Sequence, residues 1–156
     1  MLADTHIRAG GQRRLPDTVY AELDTADVVL HAGDLLVPEV LDELSGFAPV
    51  HAVLGNNDYG LSLPETLVTD LAGVTVGMIH DSGPTAGRAG RMARRFPTAA
   101  LVVFGHSHAP MDALGLGTQR LFNPGSPTER RSQPRHTYGI IEFDDGAIVG
   151  HRIVPV

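Results

Sequence analysis

Carboxylates, amides and imidazoles recur along this chain in short packets, each beside glycine, asparagine or the end of an apolar run. They read Asp4-Thr5-His6, His31-Ala32-Gly33-Asp34, Gly55-Asn56-Asn57-Asp58, His80, and Gly105-His106-Ser107-His108. Every candidate donor is an oxygen or a nitrogen, and the absence of cysteine removes thiolate chemistry. Asp4, Asp34, Asn56, His6, His80, His106 and His108 together offer two carboxylates, an amide and four imidazoles. That set suffices for two divalent ions sharing one bridging ligand. Ions about 3.5–4 Å apart can grip a phosphoryl group, polarise its oxygens and activate water for in-line attack.

Each packet also has a plainer reading. Asp4 and His6, two apart after a strand, are expected to share a face of extended chain and so reach one ion, but a D-x-H triplet is common. Asp34 can give one oxygen to each of two ions, or cap the helix that follows it. His31 is read as a support that fixes a ligand by hydrogen bond. Gly55–Asp58 is either an asparagine-rich turn or a functional loop. In the second reading Asn56 is a neutral oxygen ligand, Asn57 points a donor at substrate, and Asp58 holds a partner in place. His80 follows an apolar strand, where a lone histidine is often structural. His106 and His108, again two apart, are expected to address two neighbouring ions from extended backbone, with Gly105 giving the main chain room. Asn123-Pro124-Gly125-Ser126 reads first as a turn. His51, His136 and His151 have no chemical neighbours in sequence and count as background.

The packets gain force from their placement, because each major one falls where a strand should end. Met1–Ala3 reads as the tail of a strand and residues 15–26 as a helix with Pro16 in its first turn. Val28–Leu30 is an apolar, β-branched run that suits a buried parallel strand and stops at His31. A short helix over 38–44 and a strand over 50–54 follow, the latter ending at Gly55. Two successive βα units with polar residues after each strand predict an α/β fold whose site lies at the carboxyl ends of the strands. Residues 67–71 and 73–79 read as a hairpin or successive strands, 85–96 as a helix with Met92 and Phe96 on one face, and 100–104 as another buried strand. Leu121-Phe122 leads into the turn at Asn123. Strands over 138–143 and 147–154 flank Asp144-Asp145-Gly146, a strong hairpin signal. Gly115-Leu116-Gly117 lacks the strand–loop–helix setting of a nucleotide fingerprint and reads as loop.

At 156 residues and 42% apolar composition the chain should fold as one domain, 1–156, with a sizeable core. Aromatics at 5% make a base-stacking surface unexpected. The net charge of -6 disfavours a stable nucleic-acid partner. Bound cations would reverse the field inside the site, so the acidic total is compatible with a phosphate substrate. No long apolar run predicts a membrane span, and a cysteine-free chain fits the cytoplasm.

Taken in order, D-x-H, G-D, G-N-x-D, H, G-H-x-H and a late N-P-G-S, the chain resembles a small calcineurin-like metallophosphoesterase, over nearly its whole length. Its compact bacterial and archaeal phosphodiesterase group, which also includes a retromer scaffold subunit, is the nearest match in pattern. The resemblance implies an α/β sandwich of two β-sheets flanked by helices, with a shortened first strand. It assigns Asp4, His6 and His108 to one ion, Asn56, His80 and His106 to the other, and Asp34 to the bridge. Two divalent ions follow, manganese foremost, with nickel, iron or zinc admitted by the same donors. The expected activity is hydrolysis of a phosphodiester in a small phosphate-ester substrate, with Asn57, Asp58 and His31 around the reaction. The backbone after Gly55 and Ser107 are further phosphate contacts.

Two departures from the family pattern stand out. Larger relatives carry histidine where this chain has Asn57, which donates a hydrogen bond but is no general acid near neutral pH. Only three residues precede Asp4, so Met1–Ala3 should lie between other strands with little ladder, either as a short strand or because the start lies inside the gene. A phosphomonoesterase, with Arg8, Arg13 and Arg14 supplying charge, and a non-catalytic scaffold are the competing functions. The terminal hairpin's exposed face offers an interface for a homo-oligomer.

Overall fold

The computed structural model describes residues 1–156. Two β-sheets face each other, with helices on their outer sides. In the first sheet β1 (Val29–His31) runs parallel to β2 (Val50–Ala52), and β8 (Thr137–Asp144) pairs antiparallel with β9 (Ala147–Pro155). Met1–Ala3 joins the two pairs. The Leu2 N–H donates to Leu30 O at 2.8 Å and the Ala32 N–H to Leu2 O at 2.9 Å. On the other side Gly139 N–H donates to Met1 O at 3.0 Å and the terminal ammonium to Gly139 O at 2.6 Å. The segment is thus central yet contributes only a single bridge, Leu2 to His31.

The second sheet has the order β3-β4-β5-β7-β6. β3 (Thr66–Leu71) and β4 (Val74–Ile79) form a hairpin, and β4, β5 (Leu101–Val103) and β7 (Arg120–Asn123) run parallel. β6 (Met111–Leu114) lies antiparallel along β7 at the edge. No apolar run in the sequence marks β6. It is a half-buried edge strand whose alternation is too brief to read.

Side-chain alternation along the strands builds three apolar layers. Leu101 and Val103 of β5 point into the sandwich, against Leu30, Ala32, Val53, Val76, Met78 and Phe122. Val102 and Phe104 point the other way, against Met92 and Phe96 from α3 (Arg88–Arg95). Beyond the first sheet, Leu2 and Val29 pack on Val19 and Leu23 of α1 (Asp17–Leu23) and on Val40 and Leu44 of α2 (Pro38–Ser45). A strand covered on both faces must be apolar at every position, which explains the unbroken runs at 28–30 and 101–104. Burying each large side chain contributes about 1.5–3 kcal/mol.

Two helices are shorter than the composition suggests. α1 stops at Leu23, where the Thr25 and Ala26 N–H groups turn back to Glu22 O and Leu23 O, a tight three-residue closure. α3 begins only after Gly87, whose φ of 72° cannot continue a right-handed helix. The β8–β9 turn has positive φ at Asp145 and Gly146, 43° and 77°, the geometry that matches strand twist in a two-residue hairpin. No helix is long and apolar enough to cross a membrane.

Candidate metal centre

The carboxyl ends of the first segment, β1, β2, β4 and β5 meet at one edge of the sandwich, and there all seven donor side chains converge. Asp4, His6, Asp34 and Asn56 come from the first sheet's loops; His80, His106 and His108 come from the second's. His6 Nε2 lies 3.3 Å from His108 Nε2, and His108 Nε2 lies 3.3 Å from Asp4 Oδ1. In a neighbouring group Asn56 Oδ1 is 3.0 Å from His80 Nε2 and 2.9 Å from His106 Nδ1. Asp34 stands between the groups, its Oδ2 at 3.4 Å from His6 Nε2 and 3.5 Å from His80 Nε2. Asp4 Oδ1 also accepts the His106 N–H at 3.2 Å, while Asp4 Oδ2 is buried without any hydrogen-bond partner.

That orphaned carboxylate oxygen is the test of whether cations fit here. A buried, unpaired acceptor costs on the order of 1–3 kcal/mol unless something positive answers it. Ring tautomers point the same way. His80 Nδ1–H donates to Ala32 O at 2.8 Å and His108 Nδ1–H donates to Glu129 O, which turns both Nε2 lone pairs toward the shared space. Burial holds His6 below its ordinary pKa and takes His108 down to about 4, so both rings are neutral near pH 7. Burial alone would raise Asp34, but hydrogen bonds from His80 and Asn57 prevail and hold its carboxyl well below the usual range. Burial opposes a proton on His80, yet its bond to Asp34 wins and raises the ring. Desolvation pushes Asp4 up to about 7. A desolvated centre that carries the ionised Asp34 carboxylate beside the neutral rings of His6 and His108 fits divalent cations.

The backbone that makes this convergence differs from the extended geometry expected of D-x-H and H-x-H. Asp4, His6, Asp34, His106 and His108 all have φ between 45° and 65°. In Asp4–His6 and His106–His108 left-handed residues alternate with ordinary ones, so these two packets are tight waves in the main chain and not strand continuations. The strain is of order 1–2 kcal/mol per residue and persists because surrounding bonds over-determine it. Close approach adds a second constraint. A Cβ on Gly33, itself at φ 89°, would sit 2.7 Å from Gly55 N and 2.8 Å from His80 Nδ1.

Supporting residues hold these turns. His31, fully buried, accepts the Gly33 N–H on Nδ1 at 3.2 Å and reaches Thr5 Oγ1 with Nε2, also at 3.2 Å. Burial lowers its pKa to about 3, so it works as a neutral brace and does not move protons near neutrality. Asp58 Oδ2 accepts from Asp34 N at 2.8 Å and Gly55 N at 2.7 Å, and Oδ1 from Leu36 N at 2.8 Å. It therefore clasps two loops together. Asn57 gives its main-chain N–H to Asp34 Oδ1 at 2.8 Å and its amide to Asp34 Oδ2 at 2.7 Å. The side chain expected to face substrate is thus engaged with the Asp34 carboxylate.

Asn123–Ser126 is a turn and a clamp at once. Asn123 Nδ2 donates to Gly105 O at 2.9 Å and Ser107 Oγ at 3.2 Å, while Ser126 Oγ donates to Asp4 O at 2.7 Å. Thr128 Oγ1–H reaches Thr5 O at 2.5 Å. Thr5 and Thr128 carried no signal in sequence, because hydroxyl residues in turns look alike whether or not they brace a site. The arginines divide. Arg13 is spent on Glu129 at 2.5 Å and His6 O at 3.2 Å, and Arg14 on Asp17 at 2.8 Å. Arg131, whose guanidinium donates to His106 O at 3.1 Å, is an exposed cation adjoining the donors that the sequence did not single out. His51 lies in β2, and His151 in β9 bonds Asp112 at 2.6 Å, away from the donor set.

A two-sheet α/β sandwich carrying two adjoining Asp/His groups at its strand ends defines a class of metal-dependent phosphoesterase fold. Residues 1–146 match the calcineurin-like phosphoesterase superfamily domain, and the chain belongs to that superfamily. A probable metallophosphoesterase from Methanothermobacter thermautotrophicus is 34% identical over 137 residues, 84% of this chain and 77% of that one. A crystal structure of a predicted phosphoesterase from Streptococcus pneumoniae superposes with a TM-score of 0.75 at 26% identity, covering 99% of this chain and 86% of its own. Vps29 from Entamoeba histolytica, crystallised with zinc, shares the fold at a TM-score of 0.78 and 22% identity, covering 99% and 96%.

Proposed function

We propose that the chain is a hydrolase of phosphodiesters that works with two divalent ions, manganese foremost. The observation that carries this reading is Asp34 Oδ2 within 3.4–3.5 Å of one imidazole from each donor group, from which it would serve both ions. Asp4, His6 and His108 would hold one ion and Asn56, His80 and His106 the other. Two such ions supply Lewis acidity toward a phosphoryl group and acidify a water molecule. The protein's own part is to fix geometry. Asn57 and Asp58 orient Asp34, His31 and Ser126 lock the Asp4–His6 turn, and Asn123 locks the loop of His106 and His108. The second hydrogen on Asn57 Nδ2 would be available to developing charge on the phosphoryl oxygens, where a well-placed donor is worth about 3 kcal/mol.

With asparagine at position 57, the loop lacks a side chain there able to protonate a poor leaving group. The preferred substrates are therefore diesters whose leaving group is already acidic. A phosphomonoesterase would use a cation for the second negative charge; Arg13 and Arg14 pair with Glu129 and Asp17, which leaves Arg131 beside the donors as the residue that would favour that second reading. A scaffold role is disfavoured by the completeness of the donor set. The deciding experiment strips the protein of metal, restores manganese, nickel, iron(II) or zinc separately, and compares an aryl diester with its matched monoester. Turnover of the diester above the monoester is expected. Two bound ions without turnover of either would leave the scaffold standing, and faster monoester hydrolysis would reverse the substrate assignment.

A further inference from the structure

Arg13, Arg14, Arg120 and Arg152 each pair with a carboxylate. Arg131 does not. Its exposed guanidinium spends one N–H on His106 O at 3.1 Å and leaves the rest of its planar fork to solvent. His106 is the residue that touches both donor groups. Its ring Nδ1 lies 2.9 Å from Asn56 Oδ1, and its main-chain N–H donates to Asp4 Oδ1 at 3.2 Å. A guanidinium bound to the carbonyl of the same residue lies one peptide outward from both groups, at the rim. It is near enough to the first group that its charge adds to burial in lowering the pKa of His108 and of His6.

The loop that carries Arg131 is tied to the site. Ser126 Oγ donates to Asp4 O at 2.7 Å and accepts the Glu129 N–H at 2.8 Å, and Glu129 O accepts from the ring of His108. A tight turn follows. In it the Gln133 N–H donates to Arg130 O at 2.9 Å and the Arg130 guanidinium to Gln133 O at 2.5 Å. Arg131 is the second residue of that turn, at φ 50°. Glycine, asparagine or aspartate suits such a position, and a long side chain holds it only under backbone strain. The result is an unpaired cation set at the rim on a fixed main chain, so little ordering is left for a ligand to impose.

A planar fork of this kind matches the paired oxygens of a carboxylate or phosphate. We propose that Arg131 is a specificity-determining residue, which binds an anionic group, carboxylate or phosphate, that the substrate carries beside its scissile phosphodiester. The inference deepens the hydrolytic reading and rests on it. A monoester places its second charge on the reacting phosphorus, between the donor groups. A guanidinium one peptide outward is better placed for a group on a short tail.

The test uses the manganese-loaded protein and esters sharing one leaving group: 4-nitrophenyl propyl phosphate, 4-nitrophenyl 2-carboxyethyl phosphate and 4-nitrophenyl phosphate. Wild type should show its lowest KM for the carboxyethyl diester. Arg131→Gln should raise that KM ~10-fold relative to the propyl diester, the weight of one charge-assisted contact. The value of kcat should move far less, with both ions retained by metal analysis. Arg131→Lys should recover part of the preference, since it keeps the charge and loses the fork, and added salt should erode it. A larger effect on the monoester would overturn the proposal and return the residue to the scissile phosphoryl group. An equal rise in KM for both diesters would overturn it too, as the mark of a brace for the His106 loop. Binding of propyl methylphosphonate and its 2-carboxyethyl counterpart, read by calorimetry, requires no turnover. An Arg131-dependent preference between these phosphonates, without hydrolysis of any ester, would sink the hydrolytic reading and keep the anion site. Hydrolysis with no such preference would do the reverse.

Discussion

Asp34 stands between the two donor groups, with one of its oxygens facing an imidazole from each. Asp34→Asn keeps the shape and removes the charge; both metal sites should weaken together and turnover should fall at least ~10²-fold. Loss of only one ion, read by metal analysis, would show that the carboxylate does not bridge. Asn57→Ala is a milder change, since the main-chain N–H at 57 still holds Asp34 Oδ1. Turnover should drop about 10- to 100-fold with both ions retained, and unchanged turnover would remove Asn57 from the reaction. Metal uptake itself should release protons. Asp4, pushed up to about 7 by burial, must give its proton up, whereas Asp34 is already ionised. Apparent affinity should therefore climb about tenfold per pH unit for each proton displaced below neutrality. Calorimetry in two buffers of different ionisation enthalpy reads the proton count directly, and zero release at pH 6.5 would contradict the buried, protonated Asp4.

At the level of elements, strands deliver the donors and the turns after them aim the donors. The strand ends at 31, 79 and 103 were legible because apolar runs stop abruptly at glycine or histidine. The left-handed turns were not, since nothing in Asp-Thr-His distinguishes a wave in the backbone from an extended tail. β6 escaped for a related reason: a four-residue edge strand with one exposed face has almost no pattern to read. Crowding of the turns can be measured. A methyl at Gly55 would overlap Asp34, both its main chain and its carboxylate, whereas Gly60 has open space around it. Gly55→Ala should cost more than ~2 kcal/mol and abolish metal binding. Gly60→Ala, strained only by its φ of 82°, should cost about 1–2 kcal/mol and leave the ions in place. Denaturant titration with metal analysis separates the two, and equal behaviour would mean that the loop can shift to make room.

Across the whole molecule, acid response and metal response come from the same buried polar layer. His31 has a folded pKa of about 3 against 6.5 when free, so the unfolded chain takes up the proton first as pH falls. Its contribution to stability is full above about pH 6.5 and shrinks toward pH 3. The raised Asp4 acts in the opposite sense, which makes the difference between wild type and His31→Gln the useful quantity. That difference should move against the wild type by roughly 3 kcal/mol between pH 7 and 4; a flat difference would mean that His31 is already solvated. The candidate metal donors are shared between the layers, with Asp4, His6, Asp34 and Asn56 on one sheet and His80, His106 and His108 on the other. Between these faces, side-chain packing is supplemented by a few hydrogen bonds, among them His80 to Ala32 O, His151 to Asp112 and Gly146 N–H to Ala72 O. Cations at the rim would act as rivets, converting two plates in contact into one plate hinged nowhere along that edge. Loading at about a thousand times the dissociation constant should add about 4 kcal/mol per ion to global stability. The same rivets should suppress shear of one sheet over the other, so removing them should loosen β4 and β5 against β1 long before either sheet loses its own ladder.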